Sequence, residues 1–131
     1  MTDYYDVNLK KDRYKILSEN NNFYGYIGLI QDQKILDNIY NNHTPNIIIH
    51  LAAQAGVRYS VDNPMSYVEA NLLGTFHILE MARKYSPDHL LMASTSSVYG
   101  SNKDMPFNEN QKSDTPMSFY AATKKSTEIM A

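Results

Sequence analysis

Apolar positions in this chain fall into two kinds of block, short continuous runs and stripes at helical spacing, and the two kinds alternate. Residues 8–19, NLKKDRYKILSE, set Leu9, Tyr14, Ile16 and Leu17 among charges and predict a helix that stops at the asparagine run 20–22. FYGYIGLI, 23–30, is aromatic and β-branched enough to predict a strand. DQKILDNIYNN then predicts a helix with Asp32 as its N-cap and apolar residues at 35, 36 and 39, closed by Pro45. NIIIHLAA, 46–53, is a near-continuous apolar run between Pro45 and Gly56, the pattern of a strand buried on both faces of a parallel sheet.

From Pro64 to about Tyr85 apolar residues recur at helical spacing: Tyr67, Leu72, Leu73, Phe76, Ile78, Leu79 and Met81. Pro64 sits where the first turn tolerates a missing N–H, and Gly74 in the interior marks a close approach. HLLMAST, 89–95, predicts a second buried strand, and 101–117 a long polar loop with two prolines, a length typical of functional or disordered loops. A last helix starts with Ser118 as its cap and is still running at Ala131. Helices alternating with strands predict an α/β chain with a parallel sheet.

Composition narrows the partners. The length of 131 residues suits one domain, and 43% hydrophobic content can supply one core. Charges nearly cancel at −2 and Lys and Arg cluster no further than the pairs Lys10-Lys11 and Lys124-Lys125, so no footprint for nucleic acid or an anionic membrane is expected. No cysteine is present, which removes disulfides, thiolate nucleophiles and Cys-based zinc sites. The four histidines show no metal spacing, and structural roles are expected for them. The amino terminus carries no signal-peptide pattern and no segment approaches a membrane span, so a cytoplasmic protein is expected.

In doubly wound sheets ligands bind beyond the carboxyl ends of the strands. Three stretches occupy that edge. LAAQAGVR, 51–58, offers small side chains, serving either a ligand lying close to the backbone or tight turn packing. STSSVYG, 94–100, offers four hydroxyls at a strand end, where Ser and Thr also serve as turn formers. SFYAATKKS, 118–126, places Tyr120 and Lys124 at i and i+4 on one helix face, where a nearby cation favours the phenolate of a tyrosine. Tyr99 and Lys103 repeat the spacing, but the turn sequence GSN after Tyr99 leaves no helix to bring them together, and Tyr99 is expected to pack.

Taken in order, HLAAQAGVRYSVDNPMSYVEANLLGTFHILE, ASTSSVYG and MPFNENQKSDTPMSFYAATKKSTEIMA resemble the NAD-dependent epimerase/dehydratase family of extended short-chain dehydrogenases, most closely its UDP-glucuronate 4-epimerases. The resemblance implies a Rossmann-type fold and hydride chemistry at C4 of a UDP-sugar through NAD. It implies Tyr120 as the base, Lys124 as the group that holds the nicotinamide ribose, and Thr95 as a hydrogen-bond partner of the reacting hydroxyl. Leu51, Ala52, Ala53 and Asn71 match positions that line the cofactor, and Ser96, Ser97 and Arg58 positions that face the substrate. In relatives the helices at 64–85 and 118–131 form a dimer interface.

The chain departs from the family at its start and end. Its five glycines form no GxxGxxG, the turn whose amides carry the pyrophosphate. Gln31 stands where a third glycine would complete the spacing of Gly25 and Gly28, and Leu29 follows Gly28 where the family has an adenine-contacting aspartate. The expectation is therefore a single incomplete domain over 1–131: the centre of an NAD-binding, doubly wound parallel sheet that lacks the first strand and the substrate domain. As function this predicts a truncated nucleotide-sugar epimerase, inactive alone. The alternatives are a noncatalytic module pairing with a full-length relative through 64–85 and 118–131, or a fragment of another nucleotide-sugar dehydratase.

Overall fold

A computed structural model describes the whole chain, Met1–Ala131. Helix α1 (Val7–Ser18) begins where the Asp6 carboxylate accepts from Asn8 N–H, and it buries no residue. Helix α2 (Gln33–His43) begins at Asp32, whose side chain accepts from the amides of Lys34 and Ile35, and ends at Thr44 in the left-handed region. Both caps satisfy amides that the first helical turn leaves without partners.

Strand β1 (Ile47–His50) pairs in parallel with β2 (His89–Met92), in the register Ile47 with His89 through His50 with Met92. These two strands are the whole sheet. Between them run α3 (Tyr59–Asp62), α4 (Pro64–Tyr67), a π-helical segment (Val68–Leu73) and α5 (Gly74–Tyr85). A 3-10 turn (Ser96–Tyr99) follows β2, and α6 (Phe119–Met130) begins at Ser118, whose hydroxyl accepts from Ala121 N–H.

The core lies on one face of the sheet. Leu36 of α2 and Ile78 and Met81 of α5 form a buried cluster against Ile30, Tyr40, Ile48, Tyr85 and Leu90. Each such buried side chain contributes about 1.5–3 kcal/mol. Strand alternation sends Ile47, Ile49 and Leu91 to the opposite face, where they stay 59%, 62% and 46% exposed. The expectation of strands buried on both faces is thus corrected. One face is covered by helices and the other is open.

The strand expected at 23–30 does not form. A strand needs a neighbour for its backbone groups, and the two-membered sheet offers none there. The segment is instead held at single points: the Tyr14 hydroxyl donates to the Gly25 carbonyl at 3.2 Å, and a turn closes from Asp32 N–H to Leu29 O at 3.0 Å. The helix expected over 64–85 is present but widens at 68–73, where Gly74 N–H reaches back to Glu69 O. Gly74 is buried against Ile30, and a methyl group there would meet the Ile30 side chain. Tyr99 packs as expected, stacking on Phe107 at 4.6 Å between ring centroids.

Candidate active site

The carboxyl ends of β1 and β2 and the first two turns of α6 converge through side chains. Asn71, in the π segment, is 1% exposed. Its Oδ1 accepts from Gln54 N–H at 2.7 Å, while its Nδ2 donates to Gln54 O at 3.1 Å and to Thr123 Oγ1 at 3.0 Å. One amide thereby fixes the loop after β1 and the middle of α6. The widened helix and this fully bonded amide occur together, in keeping with the placement of π segments at functional sites.

Tyr120 and Lys124 sit on one face of α6. The amide of Tyr120 donates to Ser60 Oγ at 3.2 Å, and its ring meets Tyr67 edge-on at 5.9 Å. Tyr67 is completely buried, and its hydroxyl donates to the carbonyls of Ala55 and Gly56 at 2.8 and 2.5 Å. Burial pushes the Tyr67 phenol above its ordinary value. Tyr120, by contrast, is half-buried. Tyr67 thus serves as a wall, fixing the ring beside it.

Lys124 is 6% exposed, and its Nζ donates to the carbonyl of Ala93 at 2.6 Å. Burial lowers its pKa, and the charge of Glu128 offsets part of that. The ammonium has three donors, one of which is engaged within the chain by the Ala93 carbonyl. Ala93 lies just before the hydroxyl run that opens at Ser94, so Lys124 ties α6 to the strand end leading into Thr95. His50 lies within reach of the Lys124 charge. It is buried at the end of β1 with Nε2 3.0 Å from Thr75 Oγ1, and burial, then the Lys124 charge, hold its pKa below the ordinary value.

Thr95 is half-buried, and its Oγ1 accepts from Ser97 N–H at 3.3 Å to start the 3-10 turn. An acceptor role there leaves the hydroxyl hydrogen free to donate. Ser97 lines a hollow of about 200 Å³ with Val57, Gly100, Met117, Ser118 and Ala121. Ser96 is exposed beside it. Arg58 is exposed ahead of α3, and its side chain makes neither an ion pair nor a hydrogen bond.

Leu51, Ala52 and Ala53 are all exposed at the carboxyl end of β1, Leu51 by 71%. Ala52 borders an apolar hollow of about 200 Å³ with Tyr26, Leu29 and Ile35. No cluster of His, Cys, Asp and Glu suits a metal ion, and no helix is long and apolar enough to cross a membrane.

The sequence did not single out Ser60, Thr123 or Glu128, and it marked Tyr67 only as an apolar position of the 64–85 helix. Glu128 had a signal, because Tyr120, Lys124 and Glu128 follow at i, i+4 and i+8 along one helix face. The contacts of Ser60 and Tyr67 with Tyr120 had none, since they join residues more than 50 positions apart.

A parallel α/β sheet whose candidate residues lie at the carboxyl ends of its strands and on the following helix has the arrangement of an open α/β domain, in which ligands bind beyond the strand ends. The match of residues 4–131 to the family model described as GDP-mannose 4,6 dehydratase makes this specific: the chain belongs to that NAD-dependent epimerase/dehydratase family. A Rhizobium meliloti (strain 1021) protein named "Probable UDP-glucuronate 4-epimerase" is 52% identical over 131 residues, all of this chain and 38% of that protein. The solved UDP-glucose 4-epimerase of Thermotoga maritima, with UDP-glucose, is 34% identical at a TM-score of 0.77 over 85% of this chain and 36% of that one. That of Thermus thermophilus, in complex with NAD, is 33% identical at a TM-score of 0.73 over 79% and 33%. The chain therefore spans little more than a third of the length of these relatives, and its fold is a partial Rossmann-type α/β domain.

Proposed function

We propose that these residues are the central piece of the NAD-binding domain of a nucleotide-sugar 4-epimerase acting on a UDP-sugar, with glucuronate as the sugar. The observation that carries the reading is the buried ammonium of Lys124, which holds the Ala93 carbonyl from the face of α6 that also bears Tyr120. In this reading the phenolate of Tyr120 takes the proton of the sugar 4-hydroxyl, and the phenol so formed returns it. Thr95 donates its free hydrogen to that oxygen. Lys124 holds the nicotinamide ribose and favours the phenolate. Ser96, Ser97 and Arg58 face the sugar carboxylate. NAD, when bound, would supply the acceptor and then the donor for the C4 hydride.

The residues present fit one side of that cofactor. The ammonium of Lys124 suits a ribose diol, the exposed Leu51, Ala52 and Ala53 let a flat ring lie against the backbone, and Asn71 braces the loop behind them. They do not supply a cradle for the pyrophosphate, since no GxxGxxG turn precedes a helix anywhere in the 131 residues. We therefore assign the chain the reacting end of the site and no turnover by itself.

Calorimetric titration of the 131-residue chain with NAD tests this. The expected result is no saturable binding in the micromolar range. Micromolar affinity would overturn the claim that these residues lack the phosphate half of the cofactor site.

A second reading is favoured by the exposure of Leu73, Phe76 and Ile129, 42%, 46% and 77%, on the helices at 64–85 and 118–131. These helices then pair, either with a second copy or with a full-length relative. Co-purification with such a relative supports it, and a monodisperse monomer counts against it.

A further inference from the structure

Glu128 stands at the meeting point of three elements. One carboxylate oxygen accepts from the hydroxyl of Ser94, the residue between the Ala93 carbonyl that holds Lys124 and Thr95. The other accepts from the ammonium of Lys125 at 2.8 Å, and the same ammonium donates to Ser113 Oγ at 2.9 Å. Ser113 belongs to the long segment between the 3-10 turn and α6. Glu128 thus links the strand end to α6, and its partner Lys125 carries the link on to the loop that returns to the helix.

We propose that Glu128 is a positioning residue of the candidate site: it fixes Ser94, and through it the strand end that leads into Thr95, and, through Lys125, fastens the 101–117 segment over α6. The geometry is that of a charge-assisted network, in which a carboxylate takes one donor on each oxygen and so holds both in plane. Its charge also serves Lys124, one helical turn away. Burial disfavours the Lys124 ammonium, and Glu128 is the charge that opposes this. Burial likewise pushes the Glu128 carboxyl up, but the hydrogen bonds of Lys125 and Ser94 outweigh it and hold the carboxyl below its ordinary value. The other titratable group facing Lys124 is His50 from β1, whose pKa burial first and the Lys124 charge second hold below its ordinary value. Exposed surface pairs at i and i+3 contribute little. The Lys125–Glu128 pair is itself an i, i+3 pair on the exposed Glu128, and what sets it apart is that the second carboxylate oxygen accepts from Ser94 of the strand end.

The inference rests on the reading of Lys124 and Thr95 as site residues, and it is tested without NAD or sugar. In the 131-residue chain labelled at lysine, the Lys124 ammonium is titrated by NMR, and cleavage by trypsin after Lys112, next to Ser113, is timed. Glu128→Gln is expected to move the Lys124 midpoint down and to speed that cleavage roughly tenfold, through the lost charge-assisted link. Glu128→Asp is expected to restore the midpoint. Ser113→Ala, which leaves the Glu128 charge in place, is expected to speed cleavage while the midpoint stays. An unmoved Lys124 midpoint in Glu128→Gln, or an unchanged cleavage rate in Ser113→Ala, overturns the proposal. Binding of NAD by the unmodified chain would overturn the cofactor reading and leave these shifts standing.

Discussion

Asn71 Nδ2 donates to Thr123 Oγ1 at 3.0 Å across a sequence separation of 52 residues. The same amide grips both backbone groups of Gln54, so one buried side chain joins the π segment, the loop after β1 and α6. Asn71→Ala orphans these groups in the interior. It should destabilise the chain by about 1–3 kcal/mol, the cost of leaving buried polar groups unpaired. Urea unfolding followed by circular dichroism measures this, and a midpoint within error of the parent would refute the clamp.

His50 provides a reporter for the Lys124 charge. Its pKa lies below the ordinary 6.5 because of burial first and the Lys124 ammonium second. Lys124→Met should therefore raise the His50 midpoint, read from its ring proton shifts. The depressed value also sets a pH dependence. The unfolded chain binds a proton at His50 from about pH 6.5 downward while the folded chain resists it, so ν_U exceeds ν_N between the two values. Stability should be fully present above pH 6.5 and fall as the pH drops toward the folded midpoint. Thermal melts at pH 8 and pH 5.5 should differ, and His50→Gln should remove part of that difference.

Gly100 has φ +57°, and a methyl group there would run into the backbone carbonyl of Thr115. Backbone cannot move aside as a flexible side chain can. Gly100→Ala should cost on the order of 2 kcal/mol through strain and displacement of the segment leading to α6. A melting temperature equal to that of the parent chain would show that this turn does not hold the loop.

Ile47, Ile49 and Leu91 form an uncovered apolar face on β1 and β2. Contiguous apolar surface of this kind binds hydrophobic dyes and promotes association. Ile49→Lys should lower the fluorescence of a bound anilinonaphthalene dye and raise the solubility limit, with helix content unchanged by circular dichroism. Equal dye binding by both proteins would mean that the face is covered in solution.

Local chemistry made most of the helices legible. Asp32 and Ser118 cap helices as their side chains dictate, and Pro64 opens one. The strand runs around Ile48 and Leu90 also appear, shortened to four residues each. What failed was FYGYIGLI, which has the composition of a strand and no partner strand to bond with. The widening at Val68–Leu73 was likewise invisible, because it accompanies the contacts of Asn71 with residues distant in sequence.

For the candidate site the division is similar. The sequence by itself determined the α/β order, the one-face spacing of Tyr120 and Lys124 and the likeness to the epimerase/dehydratase family, because these depend on residue type and short-range periodicity. Tertiary structure alone decided that Lys124 bonds to Ala93, that Tyr67 and Ser60 brace Tyr120, that Glu128 reaches Ser94, and that one sheet face stays open. Those are contacts between elements, and they depend on where the chain returns rather than on what each segment prefers.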